Sequence, residues 1–209
     1  MLKRVMVLGL NPSWQKSLFF SELVFHEVNR AGKVQSMPSG KGINFVRAAR
    51  NWGKISSFVL QPVGGYTGDM LREALLAEQL PEISIPTDVP TRICSTLICG
   101  KTKTITEIIE PSGRLSEEDV NILENRAAQL LEESDALAVC GTFPPGISPD
   151  FYASFIRVFV QLLNLLISIV SVFCRQVWKI LARQRIALRI RKMQMKIRKS
   201  VITAQIHVF

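Results

Sequence analysis

Glycine, proline, aspartate and glutamate all lie at or before Asp150 in this 209-residue sequence, and none occurs in the fifty-nine residues that follow. Tight turns draw on glycine's freedom at positive φ and on proline's fixed φ. A many-turned fold must therefore be built from the part of the chain that ends near Asp150. The same break divides the charge. Residues 1–157 carry 16 Lys+Arg against 17 Asp+Glu, whereas residues 158–209 carry 10 against none, so the net charge of +9 belongs to the tail.

Met1–Leu10 has two charges followed by a short apolar run and no small-residue cleavage site, so it reads as a strand and not as a secretory leader. The first 157 residues are accordingly expected in the cytoplasm. Cys94, Cys99, Cys140 and Cys174 show no CxxC or Cys/His ligand spacing, and in a strand Cys94 and Cys99 would face opposite sides. They read as buried thiols. His26 and His207 are isolated, which leaves no histidine-based metal site or triad.

The order of elements is that of an α/β protein. Arg4–Leu10 is a near-continuous apolar strand that stops at the Asn11-Pro12 turn signal. Ser17–Phe25 and Ala31–Met37 mix polar and apolar residues in short runs, as a small, partly exposed β element does. Gly42–Trp52 has helical spacing, with Gly53 suited to cap its C-terminus. A strand over Ile55–Val63, a turn at Gly64-Gly65 and a helix over Thr67–Leu80 capped by Thr67 come next. Arg92–Cys99 and Thr102–Ile109 read as a hairpin joined at Gly100-Lys101. Ser116-Glu-Glu-Asp119 is a capping box that opens a helix to about Glu133, and Ala136–Cys140 is a further strand ending at Gly141. A helix starts at Ser148 and Asp150. Such alternation implies a mostly parallel sheet, with ligands at the carboxyl ends of its strands, here Asn11, Gly64 and Gly141.

Ser39-Gly40-Lys41-Gly42-Ile43-Asn44 runs straight into a helix, so free backbone N–H groups, the positive end of the helix dipole and the Lys41 ammonium converge. That is an anion site, most naturally for a phosphate, though a glycine-rich turn serving chain reversal alone is the competing reading. It is not a Walker A loop, because the GxxxxGK[ST] spacing is absent. Asn11 and Arg92 stand where a site could form. Their plain alternatives are a turn asparagine and a solvated arginine.

These residues together resemble the PfkB-type sugar kinases, in the branch of 1-phosphofructokinase and tagatose-6-phosphate kinase, over about residues 3–157. The resemblance is carried, in order, by Asn11-Pro12-Ser13, Val28-Asn29-Arg30, the Pro38–Asn44 segment with Arg47-Ala48, Val63-Gly64-Gly65 with Thr67-Gly68, Thr91-Arg92, and Cys140-Gly141-Thr142-Phe143-Pro144-Pro145-Gly146. It implies a ribokinase-like fold with a small β lid at about residues 16–37 and 92–109. It also implies ATP- and Mg²⁺-dependent phosphorylation of fructose 1-phosphate or tagatose 6-phosphate to a bisphosphate. Gly40, Lys41 and Asn44 match the motif that holds the phosphorylated sugar, and Arg92 matches a position that contacts the substrate phosphate. A water-excluding lid suits such chemistry, since water competes as phosphoryl acceptor.

Two departures qualify that expectation. Gln15 stands where family members usually carry an Asp that binds sugar hydroxyls, which leaves hydrogen bonding without charge. The family's catalytic Asp lies far downstream in a Gly-Ala-Gly-Asp-type motif with most of the nucleotide site, and no acid or glycine follows Asp150. Gly65–Asp69 looks similar but sits at a different family turn, so Asp69 is not assigned as base. No catalytic residue is assigned, and this chain is expected not to bind ATP and Mg²⁺ productively and to be inactive or nearly so.

Residues 158–209 read as a non-family tail. Val158–Cys174 is a run of 17 uncharged residues, followed by ten basic ones between Arg175 and Lys199. A frameshift or recombination scar fits the abrupt break, with a membrane anchor and an RNA- or lipid-binding helix as alternatives. The basic residues do not share one helical face, which argues against a shaped nucleic-acid reader. Self-association through an exposed sheet edge or the lid, and membrane adsorption by the tail, complete the expectations.

Overall fold

Residues of the first strand are apolar on both faces: Met6 and Leu8 enter one core cluster, Val5 and Val7 the other. A strand buried on both sides requires helices above and below it, and the rest of the chain supplies them. The structure, a computed structural model, describes residues 4–156 apart from Pro149 and Ser154. In chain order its elements are β1 (Arg4–Leu8), β2 (Ser13–Phe20), β3 (Lys33–Ser39), α1 (Lys41–Trp52), β4 (Ser56–Gly64), α2 (Gly65–Ala77), β5 (Glu82–Thr87), β6 (Ile93–Cys99), β7 (Thr104–Ile109), α3 (Glu117–Glu132) and β8 (Ala136–Val139). Residues 150–153 and 155–156 are also helical.

β1, β4, β5 and β8 form a parallel sheet in the order β5-β4-β1-β8. Strand alternation sorts its side chains between two layers. Val59 and Val63 of β4 pack with Ile43 and Val46 of α1 and Leu71 and Leu75 of α2. Phe58 and Leu60 pack with Leu123, Ala127 and Leu130 of α3 and with Tyr152 on the other face. From β1 the chain moves outward to β4 and β5 beneath α1 and α2, then returns past α3 to place β8 on the other side of β1. The strand order therefore reverses between β1 and β8, and a crevice opens at their carboxyl ends.

A second sheet, β3-β2-β6-β7, lies over that crevice. β2 pairs antiparallel with β3 and parallel with β6, and β6 pairs antiparallel with β7. This is the expected lid, with its first strand opening at Ser13 directly after the end of β1. The sequence expectations fail in three places. β2 spans Ser13–Phe20, where Ser17–Phe25 was expected. α2 starts at Gly65, ahead of the expected Thr67 cap, and the Thr67 hydroxyl instead donates to the Thr91 carbonyl, tying α2 to the start of β6. β5 was not anticipated, because Pro86 interrupts it; an edge strand tolerates proline, which lacks only the ladder donor that faces outward.

Two helix starts differ in a way that matters below. α3 is closed by a full capping box between Ser116 and Asp119, with three acidic residues in its first turn. α1 follows Gly40 at φ 139°, a conformation open to glycine, and has neither a side-chain cap nor an acidic residue in its first turn. Among the described residues no helix is long and apolar enough to cross a membrane. The expectations for the tail fall on residues 158–209 and lie outside the described residues.

α1 packs onto β1 through glycine. A Cβ on Gly42 would lie 2.7 Å from Gly9 Cα and 2.9 Å from Val59 Cγ2. Gly42→Ala is therefore expected to cost about 1–3 kcal/mol, the usual range for overpacking a filled core. Gly32→Ala, where the nearest atom is 3.9 Å away, should cost far less. Urea unfolding of both variants checks this, and equal midpoints would show that α1 does not need so close an approach.

Candidate functional site

The crevice at the ends of β1 and β8 holds a cavity of about 270 Å³ between the parallel sheet, the N-terminus of α1 and the underside of the lid. That is near the small end of ligand pockets, which span about 300–1,000 Å³. Gly40, Lys41 and Asn44 reach it from α1, Asn11 and Gly141 from the strand ends, and Arg92 from the residue before β6. All five residues singled out in the sequence thus meet at one place. They do not play equal parts.

Asn11 is engaged by the protein itself. Its Nδ2 donates to Thr142 Oγ1 at 3.0 Å and its Oδ1 accepts from Ser112 Oγ at 2.7 Å, so the amide bridges the strand ends across the crevice. Arg92 is the reverse. Its Nη2 reaches only the Asn11 carbonyl, at 3.5 Å, and its Nε is buried with no hydrogen-bond partner among the described residues. Leaving a buried donor unpaired costs about 1–3 kcal/mol, more for a charged group. An anion in the cavity, which Arg92 lines, would meet a guanidinium with few partners of its own. Lys41 extends beside Gly141, its stem in the space a side chain there would take, and makes no ion pair among the described residues.

The lid contributes Gln15, noted in the sequence, and two residues that motif reading passed over, Thr96 and Glu107. Gln15 Nε2 donates to Thr96 Oγ1 at 2.8 Å, and Glu107 stands opposite Thr96 on β7. Among the described residues Glu107 is the only carboxylate that lines the cavity. Strand alternation from Cys94 to Thr96, together with the hairpin register, was the signal that could have found both. Asp69 is exposed on α2 and does not line the cavity. Among the described residues no three His, Cys, Asp or Glu side chains gather as a metal site. The described residues that line the cavity are chiefly hydrogen-bonding side chains with the two cations Lys41 and Arg92.

The family model for pfkB family carbohydrate kinases matches residues 4–192. This chain belongs to that family. The matched span runs past residue 157, where the composition changes. A possible 1-phosphofructokinase from Thermotoga maritima is similar at 27% identity with a TM-score of 0.71, covering 78% of this chain and 52% of that one. A putative phosphofructokinase from Staphylococcus aureus is 26% identical, with a TM-score of 0.66 over 76% of this chain and 50% of that one. Phosphofructokinase-2 from Escherichia coli, solved with fructose-6-phosphate, shares the fold at 23% identity and a TM-score of 0.70, covering 78% and 52%. A tetrameric inhibited form of the same Escherichia coli enzyme has also been solved. The chain spans about half the length of these solved structures.

Cys140 closes β8 at the cavity floor, and burial pushes its thiol up to about 12. A raised thiol pKa means a protonated, unreactive sulfur at every pH below that value. Native protein exposed to iodoacetamide at pH 8 should show no modification of Cys140 by mass spectrometry, and denatured protein should be fully modified. Rapid labelling in the native state would place a thiolate in the site.

Proposed function

We propose that this chain forms the sugar-phosphate side of a PfkB-type kinase site and holds fructose 1-phosphate or tagatose 6-phosphate in the cavity under the lid. The observation that carries this is the convergence of unpaired donors: the uncapped start of α1, Lys41, and Arg92 with its buried, unpartnered Nε. A helix N-terminus flanked by two cations stabilises a phosphate dianion by geometry and charge together. Gln15, Thr96 and Glu107 would face the sugar's hydroxyls from above.

Family members couple such a site to Mg²⁺–ATP. In this chain residues 151–209 contain no Asp, Glu or Gly, so the base and glycine-rich nucleotide loop that the resemblance calls for are not among them. Binding without turnover follows. Without a general base the acceptor hydroxyl is not activated, and without donor positioning the reaction loses most of its assistance.

The lid also supports self-association. Met37 and Ile105 are exposed on the same face of the second sheet as Gln15, and apolar side chains beside an unpaired edge strand favour pairing with another copy. Introducing Met37→Lys and Ile105→Lys should then lower the sedimentation coefficient. For the tail, a frame change near codon 157 accounts for the loss of four residue types at once. The match reaching residue 192 favours the other reading, an in-frame family segment of altered composition. Translating the downstream DNA in all three frames separates them, since only a frame change leaves kinase motifs in another frame.

Given ATP, Mg²⁺ and either sugar phosphate, the purified chain should form no bisphosphate above background, where kinases turn over at about 1–100 s⁻¹. By calorimetry it should still bind the sugar phosphate, and Lys41→Ala and Arg92→Ala should each weaken that binding by about tenfold or more, the scale of a lost charged hydrogen bond. Turnover in the kinase range would contradict the inactivity. Binding indifferent to both substitutions would put the anion elsewhere.

A further inference from the structure

We infer that Arg47 is a positioning residue: it holds the Asn44 amide with its oxygen turned away from the cavity and its nitrogen available to an acceptor oxygen of the ligand. Arg47 lies on α1 about one turn beyond Asn44, outside the cavity lining. Its Nη1 donates to Asn44 Oδ1 at 2.8 Å. A guanidinium only donates, so the atom facing it must be the amide oxygen. Asn44 itself lines the cavity, and its Nδ2 is bonded to no described residue. The free end of the amide is therefore a donor.

The guanidinium is itself immobilised. Nε and Nη2 donate to the two carboxylate oxygens of Glu78, at 2.9 and 3.0 Å, and Nη2 also donates to the Pro38 carbonyl at 3.2 Å. Glu78 caps the C-terminus of α2, where the Arg50 guanidinium also meets its backbone carbonyl. One planar fork thus ties together the end of α2, the strand leading into Gly40, and the side chain of Asn44. The pair is half-buried, which spares it part of the screening that makes surface pairs weak. Lysine could not replace it, because a single ammonium has no fork to span these partners.

The consequence is chemical polarity. With the amide oriented this way, Asn44 joins the α1 N–H groups, Lys41 and Arg92, and that wall of the cavity presents donors. A phosphoryl group, which accepts and does not donate at neutral pH, matches such a wall. A ligand offering only donors does not. This rests on the sugar-phosphate reading above, and the experiment keeps the two apart.

Calorimetric titration of the full chain with fructose 1-phosphate, run on wild type, Arg47→Lys, Asn44→Ala, Asn44→Asp and the Arg47→Lys/Asn44→Ala double variant, forms a double-mutant cycle. Arg47→Lys should weaken binding by about tenfold in the wild-type background, the scale of one hydrogen bond to a charged group, and by little in the Asn44→Ala background. Asn44→Asp keeps the Arg47 partner but replaces the donor with a carboxylate, and should bind no better than Asn44→Ala. Equal costs of Arg47→Lys in both backgrounds, or wild-type affinity in Asn44→Asp, would overturn the inference. A ligand-free readout is the NMR signal pair of the Asn44 side-chain amide, which should move in Arg47→Lys and stay in Glu22→Gln, a change remote on the lid. If the pair does not move in Arg47→Lys, the inference fails whether or not wild type binds. If it moves but wild type binds no sugar phosphate, the positioning stands and only the functional reading falls.

Discussion

Gly42 rests against Gly9 so closely that a side chain on either would strike the other's backbone, and the geometry of the cavity depends on that approach. It lets the first turn of α1 stand directly over the carboxyl end of β1. The unpaired N–H groups of that turn then open at the point where the sheet order reverses. Were α1 shifted outward by the width of a methyl group, Lys41 and Asn44 would move with it. Donors collected around an empty crevice are a cost to the free protein. That cost is tolerable because the two apolar layers on either side of β1 carry the fold, each buried leucine or valine contributing about 1.5–3 kcal/mol.

Much of this was legible in the residues. The apolar run of β1, the capping box at Ser116 and the Gly53 terminus of α1, which adopts φ 71°, are local signals whose chemistry is complete within a few residues. The convergence of Gly40, Lys41, Asn44 and Arg92 could be read because each stands at a strand or helix end, where the parallel topology brings ends together. What escaped were relations between distant segments. Asn11 was read as a site residue, and only the fold shows that its amide also bonds Ser112 and Thr142 while lining the cavity. Thr67 looked like a cap, whereas Thr91, brought near by the lid, takes its hydroxyl. β5 was masked by Pro86, which the edge strand accommodates.

The site divides the work of a kinase in two. On the proposed reading, holding a phosphorylated sugar requires donors, shape and a roof, and the cavity is lined by such donors beneath the second sheet. Transferring a phosphoryl group requires a base and a grip on the nucleotide, and among the described residues the one carboxylate lining the cavity, Glu107, comes from the lid. The most direct test is a crystal structure of the full chain grown with fructose 1-phosphate. The account predicts the phosphate within hydrogen-bond distance of Lys41 and Arg92 at the α1 N-terminus, with the sugar beneath Gln15 and Thr96. Clear density for the sugar phosphate at any other place, with this cavity left to water, would contradict it.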